Sequence, residues 1–324
     1  MAKLTMKKYQ ESKTAPELFE MYLKEREARG VSAKTLNTYS NKFKTVCCFY
    51  DFNKPVEKIV DEDINTLILN MKEGKRLDGK TAINKDVSIA SYLNTVRSFF
   101  KWCRDKGYSN VVVPGYSYTT EPKELYTEAE IKRLIKKPNM KTCSFCEYRN
   151  WVIVCFILNS GCRSATLRNV LVKDLDFESN MILFRHTKNK QAQYVPMSRE
   201  LRHILIEYLD IREGKPDEYL FPNQNNQQLG ENALKLAIED YNHNRGVSKT
   251  SVHLFRHFFA KSYIQNGGDC FRLQKILGHK KIEMTVHYAN LYGADTKRGF
   301  EEFNPLSVLS NQDKRITMNK KRVS

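Results

Sequence analysis

The chain lacks any long apolar run. Its longest, Trp151 to Leu158, falls far short of the roughly 20 residues that a membrane-spanning helix needs. A basic start followed by an apolar stretch is also missing from the N-terminus, so no secretory leader is expected. Glycine (14) and proline (9) are sparse among 324 residues, which excludes a fibrous or low-complexity chain. No internal repeat is found. Acidic residues are in deficit: 37 Asp and Glu face 54 Lys and Arg, for a net charge of +17. That excess is spread along the whole chain and favours a polyanionic partner, nucleic acid first.

Eight cysteines are present, but not in the pattern of a disulfide framework. Cys47 and Cys48 are adjacent, whereas Cys103, Cys155 and Cys162 lie in apolar surroundings, where a thiol packs as a small hydrophobe. Cys143 and Cys146 form the only CxxC, with no second cluster to complete a structural metal site. A reduced, cytoplasmic compartment fits this usage best, with no membrane association.

At this length two domains are expected, and 41% hydrophobic residues suffice to bury their cores. Residues 13–110 read as all-helical. Leu18, Phe19, Tyr22 and Leu23 make one apolar stripe after Ala15-Pro16, and Gly30 ends it. Ser32 or Thr35 caps the next helix, Asp61-Glu62-Asp63 heads a third, and Lys85 to Lys106 forms the fourth. Residues 111–124 carry two prolines and a glycine without helical period, and read as an extended linker. The next unit, 125–298, opens at Thr127 and Glu130, which have capping-box spacing. It is mostly helical, with one β-like patch at 174–177, 181–186 and 193–195. The expected fold class is mainly α: a small all-helical domain, then a larger, mostly helical one with a small antiparallel sheet. Residues 1–12 are an extension and 299–324 a tail.

The chemistry is concentrated near the C-terminus. His253 and Arg256 share a helix face, with Ser251 at the N-cap position. His279 follows in Leu277-Gly278-His279, and Tyr288 closes Thr285-Val286-His287-Tyr288. Upstream, Arg163 follows a glycine that can end an apolar helix, and Lys188 sits in the turn between two short strands. Arginine forks can each hold two oxygens of a phosphate. A tyrosine hydroxyl is a nucleophile that needs such help, because its ordinary pKa is about 10.

This set, in this order and spacing, resembles the tyrosine recombinase (phage integrase) family over nearly the whole chain. Arg163 matches the family's first arginine, Lys188 its β-hairpin lysine, and His253 with Arg256 its H-x-x-R pair. His279 matches the L-G-H histidine and Tyr288 the nucleophile. Thr166 stands where family members commonly carry an acidic residue, three positions after the first arginine.

The resemblance implies that the helical first domain binds core DNA and that the second is catalytic. Tyr288 would attack a DNA phosphate held by Arg163 and Arg256, with His253 or a water as proton acceptor. His279 would donate to a phosphate oxygen, and Lys188 would protonate the leaving 5′ oxygen. No metal, ATP or other cofactor is required. His257 and His287 read as packing or surface histidines, His186 as a strand residue, and Arg168 as a surface or phosphate contact. Lys190 is the competitor of Lys188.

The implied partner is double-stranded DNA, bound with a steep salt dependence. Four protomers would exchange strands on two sites through a Holliday junction, with a possible accessory or excisionase protein. Phe300, Phe303, Leu306, Val308 and Leu309 are expected to dock on a neighbouring protomer. About twelve residues precede the first expected helix, so a separate arm-binding domain is not expected. Integration or excision of a mobile element or phage is the expected role. A chromosome-dimer or plasmid resolvase is the alternative within the family. An idle DNA-binding relative and a type IB topoisomerase are the readings outside it.

Overall fold

A computed structural model describes residues 12–82, 84–119, 124–185, 191–292 and 304–306, except for the side chains of 287 and 289–292. Contacts divide the chain into two compact units, Met1–Pro122 and Lys123–Ser324.

The first unit is built on α1 (Ala15–Ala28), α2 (Ala33–Cys47), α3 (Asp61–Glu73) and α4 (Asp86–Asp105). Their ends follow local rules. The Thr14 amide donates to Glu17 Oε2 (2.8 Å) at the start of α1, and the Thr35 amide donates to the Ser32 hydroxyl at the start of α2. Helix α4 buries Leu93, Val96, Phe99, Phe100 and Cys103, a helical spacing that faces one side. Phe99 meets Phe19 edge-on at 5.2 Å, while Phe19 and Phe43 stack at 3.9 Å. The chain after α4 is extended, and Val111 and Val113 pack into this same core.

The second unit opens with α5 (Glu128–Leu134), capped by the reciprocal bonds of Thr127 and Glu130. Helix α6 (Phe145–Ser160) is apolar on nearly every side, and a helix of that kind belongs at the centre of a core. It buries Trp151, Val152, Ile153, Val154, Phe156 and Ile157. Around it lie α8 (Arg199–Arg212), α9 (Glu231–His243) and α10 (Val252–Gln265), after the short α7 (Ser164–Leu167). Strands β1 (Leu175–Asp176), β2 (Met181–Phe184) and β3 (Gln193–Pro196) form one antiparallel sheet in that order, with Ile182 opposite Val195. Asn180, at φ 54°, closes the first turn. Helices α11 (Cys270–Leu277) and α12 (Glu283–Tyr292) complete the unit and share a separate small core with α10. No helix among the described residues is long and apolar enough to cross a membrane.

Candidate active site

Two helix ends make the floor of the site. Helix α6 ends at Gly161, whose φ of +58° is the left-handed cap conformation. A Cβ there would lie 2.5 Å from Phe259 and 2.7 Å from Leu277, so α10 and α11 close directly over it. Helix α11 ends the same way at Gly278 (φ +61°), where a Cβ would meet Gln193 at 2.7 Å. Both ends leave backbone carbonyls without helical partners.

Arg256, on the first turns of α10, takes up those carbonyls. It is 6% exposed; Nη1 donates to Gly161 O (2.7 Å) and Nη2 to Leu277 O (2.9 Å). Arg163, immediately after the α6 cap, donates through Nη1 to the same Leu277 carbonyl (3.3 Å). Among the described residues, neither guanidinium has a carboxylate partner. Burial and then the neighbouring Arg163 charge push the Arg256 guanidinium down to about 10, and burial lowers Arg163 as well. A buried and a half-buried cation thus lie side by side, met by carbonyl dipoles and one imidazole nitrogen rather than by a carboxylate.

His279 lies against Arg256, with Nη2 2.8 Å from its Nε2, while its Nδ1 is 2.9 Å from the Thr285 hydroxyl. An arginine can only donate, so Nε2 accepts and the ring proton sits on Nδ1. Burial first, then Arg256, Arg163 and His257, push the imidazole down to about 4, so it is neutral at pH 7. Tyr288, on α12, is 6% exposed, and a phenolate there would raise both arginines, which places its oxygen within their field.

Of the six residues singled out in the sequence, the fold brings Arg163, Arg256, His279 and Tyr288 together. His253 is exposed on the first turn of α10 and lines a neighbouring cavity of about 250 Å³ with Ser164 and Thr250. Lys188 lies outside the described residues, as do His186 and Lys190 and the side chain of His287.

Three further residues escaped the sequence reading. His257 is not a packing histidine: its Nδ1 is 2.8 Å from the Tyr288 hydroxyl. Gln193, the first residue of β3, donates to the Lys275 and Ile276 carbonyls and so ties the sheet to the end of α11. Thr285 orients His279. Arg168 is turned inward, bonded to Leu229 O (3.4 Å) and 3.7 Å from Glu231, because its guanidinium closes the loop ahead of α9. Only the recurrence of histidine at positions 253 and 257, one helical turn apart, hinted at any of these.

Residues 124–294 match the Phage integrase family. Over 279 residues the chain is 30% identical to the tyrosine recombinase XerA of Saccharolobus solfataricus, covering 84% of this chain and 87% of the relative. It is 25% identical over 299 residues to the tyrosine recombinase XerC of Thermodesulfovibrio yellowstonii, covering 88% and 94%. Its fold is similar to a Tn1549 transposon integrase in complex with circular intermediate DNA (TM-score 0.69, 19% identity, 93% of this chain and 100% of that one). It is also similar to a lambda integrase tetramer bound to a Holliday junction (TM-score 0.69, 16% identity, 88% and 80%).

Proposed function

Since this chain belongs to the phage integrase family, and is a tyrosine recombinase in the broad sense, we propose that it cuts and rejoins duplex DNA through a 3′-phosphotyrosine at Tyr288. The observation that carries this reading is a buried and a half-buried guanidinium, with no carboxylate partner among the described residues, beside a buried phenol. Holding two like charges together with one of them buried is costly, and a phosphodiester between them relieves the repulsion. The gain grows as charge accumulates on a five-coordinate phosphorus; a preorganised donor of this kind contributes roughly 2.7–4 kcal/mol to the chemical step.

Tyr288 Oη attacks phosphorus, Arg163 and Arg256 hold the non-bridging oxygens, and His279 donates to one of them once protonated. His253 contacts the adjoining backbone from the rim of the site. Lys188, between β2 and β3, protonates the departing 5′ oxygen. The phosphotyrosine keeps the bond energy, so religation needs no ATP.

The broader reading is integration or excision of a mobile element or phage, by four protomers on two DNA sites through a Holliday junction. It draws support from 25% identity over 254 residues to a probable integrase/recombinase of Acholeplasma phage L2. Cytoplasmic DNA would be the target. An apolar groove of about 770 Å³, lined by Ile135, Leu158, Ile204, Phe258 and Tyr263, suits the tail of a neighbouring copy. Of that tail, Leu306 is 75% exposed; Phe300, Phe303, Val308 and Leu309 lie outside the described residues.

The test uses a pool of nicked duplexes tiled across the DNA that flanks the gene. A covalent protein–DNA adduct is expected from the wild type and none from Tyr288→Phe. An adduct that persists in Tyr288→Phe, or none from the wild type while DNA is bound, refutes the reading.

A further inference from the structure

We propose that His257 is the base that takes the proton of Tyr288 as its oxygen attacks the DNA phosphate, an inference that rests on the strand-cleavage reading above. The geometry singles it out. Nδ1 of His257 is 2.8 Å from the phenolic oxygen, with the two ring centres 5.7 Å apart. Tyr288 is 6% exposed, which leaves bulk water little access to that oxygen. The other candidates are placed for other work. Nε2 of His279 accepts from Arg256 and its Nδ1 meets Thr285, so neither nitrogen is directed at the phenol. His253 lies about 6 Å further along the axis of α10, one turn away, and is exposed.

The step balances without another reactant. The Tyr288 O–H bond breaks, its proton passes to Nδ1 of His257, and its electron pair forms the O–P bond. The P–O5′ bond breaks with its pair on O5′, which takes a proton from Lys188. In rejoining, the 5′ hydroxyl returns its proton to Lys188 and attacks phosphorus, the P–O bond to Tyr288 breaks, and His257 returns its proton to the departing phenolate. His257 must therefore carry its own proton on Nε2 before cleavage. The charged and titratable groups around it are His253 and Lys261 one turn along α10, its neighbour Arg256, Tyr288 from α12, His279 from the turn between α11 and α12, and Arg163 from the end of α6.

The experiment is single-turnover formation of the covalent adduct on a nicked duplex, followed from pH 6 to pH 10, with His257→Gln and His257→Ala. Gel retardation and circular dichroism establish that each variant binds DNA and is folded. The expected loss at neutral pH is about 10²–10⁴-fold. The remaining rate should climb with pH towards the phenol's ordinary value near ~10, where hydroxide replaces the missing base, while the wild type stays flatter. A duplex with a 5′-bridging phosphorothiolate, whose leaving thiolate needs no acid, should rescue Lys188→Ala and leave His257→Gln slow. An unchanged rate, a loss by one factor at every pH, or rescue of His257→Gln by the phosphorothiolate overturns the inference. If His257→Ala does not fold, His257→Gln decides, since it keeps a polar side chain of similar reach. A wild type that makes no adduct fails the cleavage reading itself. An active wild type with an unaffected His257→Gln fails only this inference.

Discussion

At the scale of single residues, the site is governed by how charge is buried. His279 is the most telling case, because burial and the arginines beside it keep it neutral well below the usual histidine value, down to about 4. The unfolded chain therefore binds this proton before the folded one does. The stability from a neutral His279 is complete above about pH 6.5 and is lost as the pH falls towards about 4. The total amounts to roughly 3 kcal/mol. The melting temperature of the free protein should thus fall across that window, and in His279→Asn the fall should be shallower; parallel acid limbs in the two proteins would contradict this. A bound phosphate reverses the balance, because its charge favours the imidazolium. DNA binding should then take up a proton, measurable as a heat of binding that varies with the ionisation enthalpy of the buffer.

At the scale of elements, the question is what holds the helix ends in register. Gln193 does much of this, since its amide reaches two carbonyls at the end of α11 from the start of β3. In Gln193→Ala both bonds go, and a loss of about 1–2 kcal/mol is expected in denaturant unfolding. Adduct formation should also fall by about 10–10²-fold at temperatures where the variant is fully folded, because the end of α11 carries His279 and the carbonyl that holds both arginines. A variant that is destabilised yet cuts at the wild-type rate would reduce Gln193 to a structural role.

The elements themselves were largely legible in the sequence. Helix α4 runs between Lys85 and Lys106 because its apolar residues recur at helical spacing, and α5 starts where Thr127 and Glu130 cap each other. Arg163, Arg256, His279 and Tyr288 could be picked out because each sits in a short local motif. Gln193 and His257 could not. Their partners lie 82 and 31 residues away, and a contact of that kind exists only after the elements have packed. The inward turn of Arg168 was hidden for the same reason, since it depends on the loop that carries Leu229.

At the scale of the whole molecule, each of the two units has a main core of its own. The first is a small aromatic-rich cluster, and the second is organised around α6. On the proposed reading, the apolar groove beside α10 in the second unit receives the tail of a neighbouring copy. A chain cut after residue 298 should still bind a single DNA site, but sediment with DNA as a smaller complex than the full chain. It should also lose recombination more completely than cleavage. Equal sizes for the two complexes would show that the tail does not join protomers.

Arg256 reaches back 95 residues to the end of α6 and forward 21 to the end of α11. A chain still emerging from the ribosome, or one unravelled at either helix, keeps its lysines and can cling to DNA, but it has no seat for this guanidinium. On the proposed reading, the capacity to break a strand comes only with the finished fold.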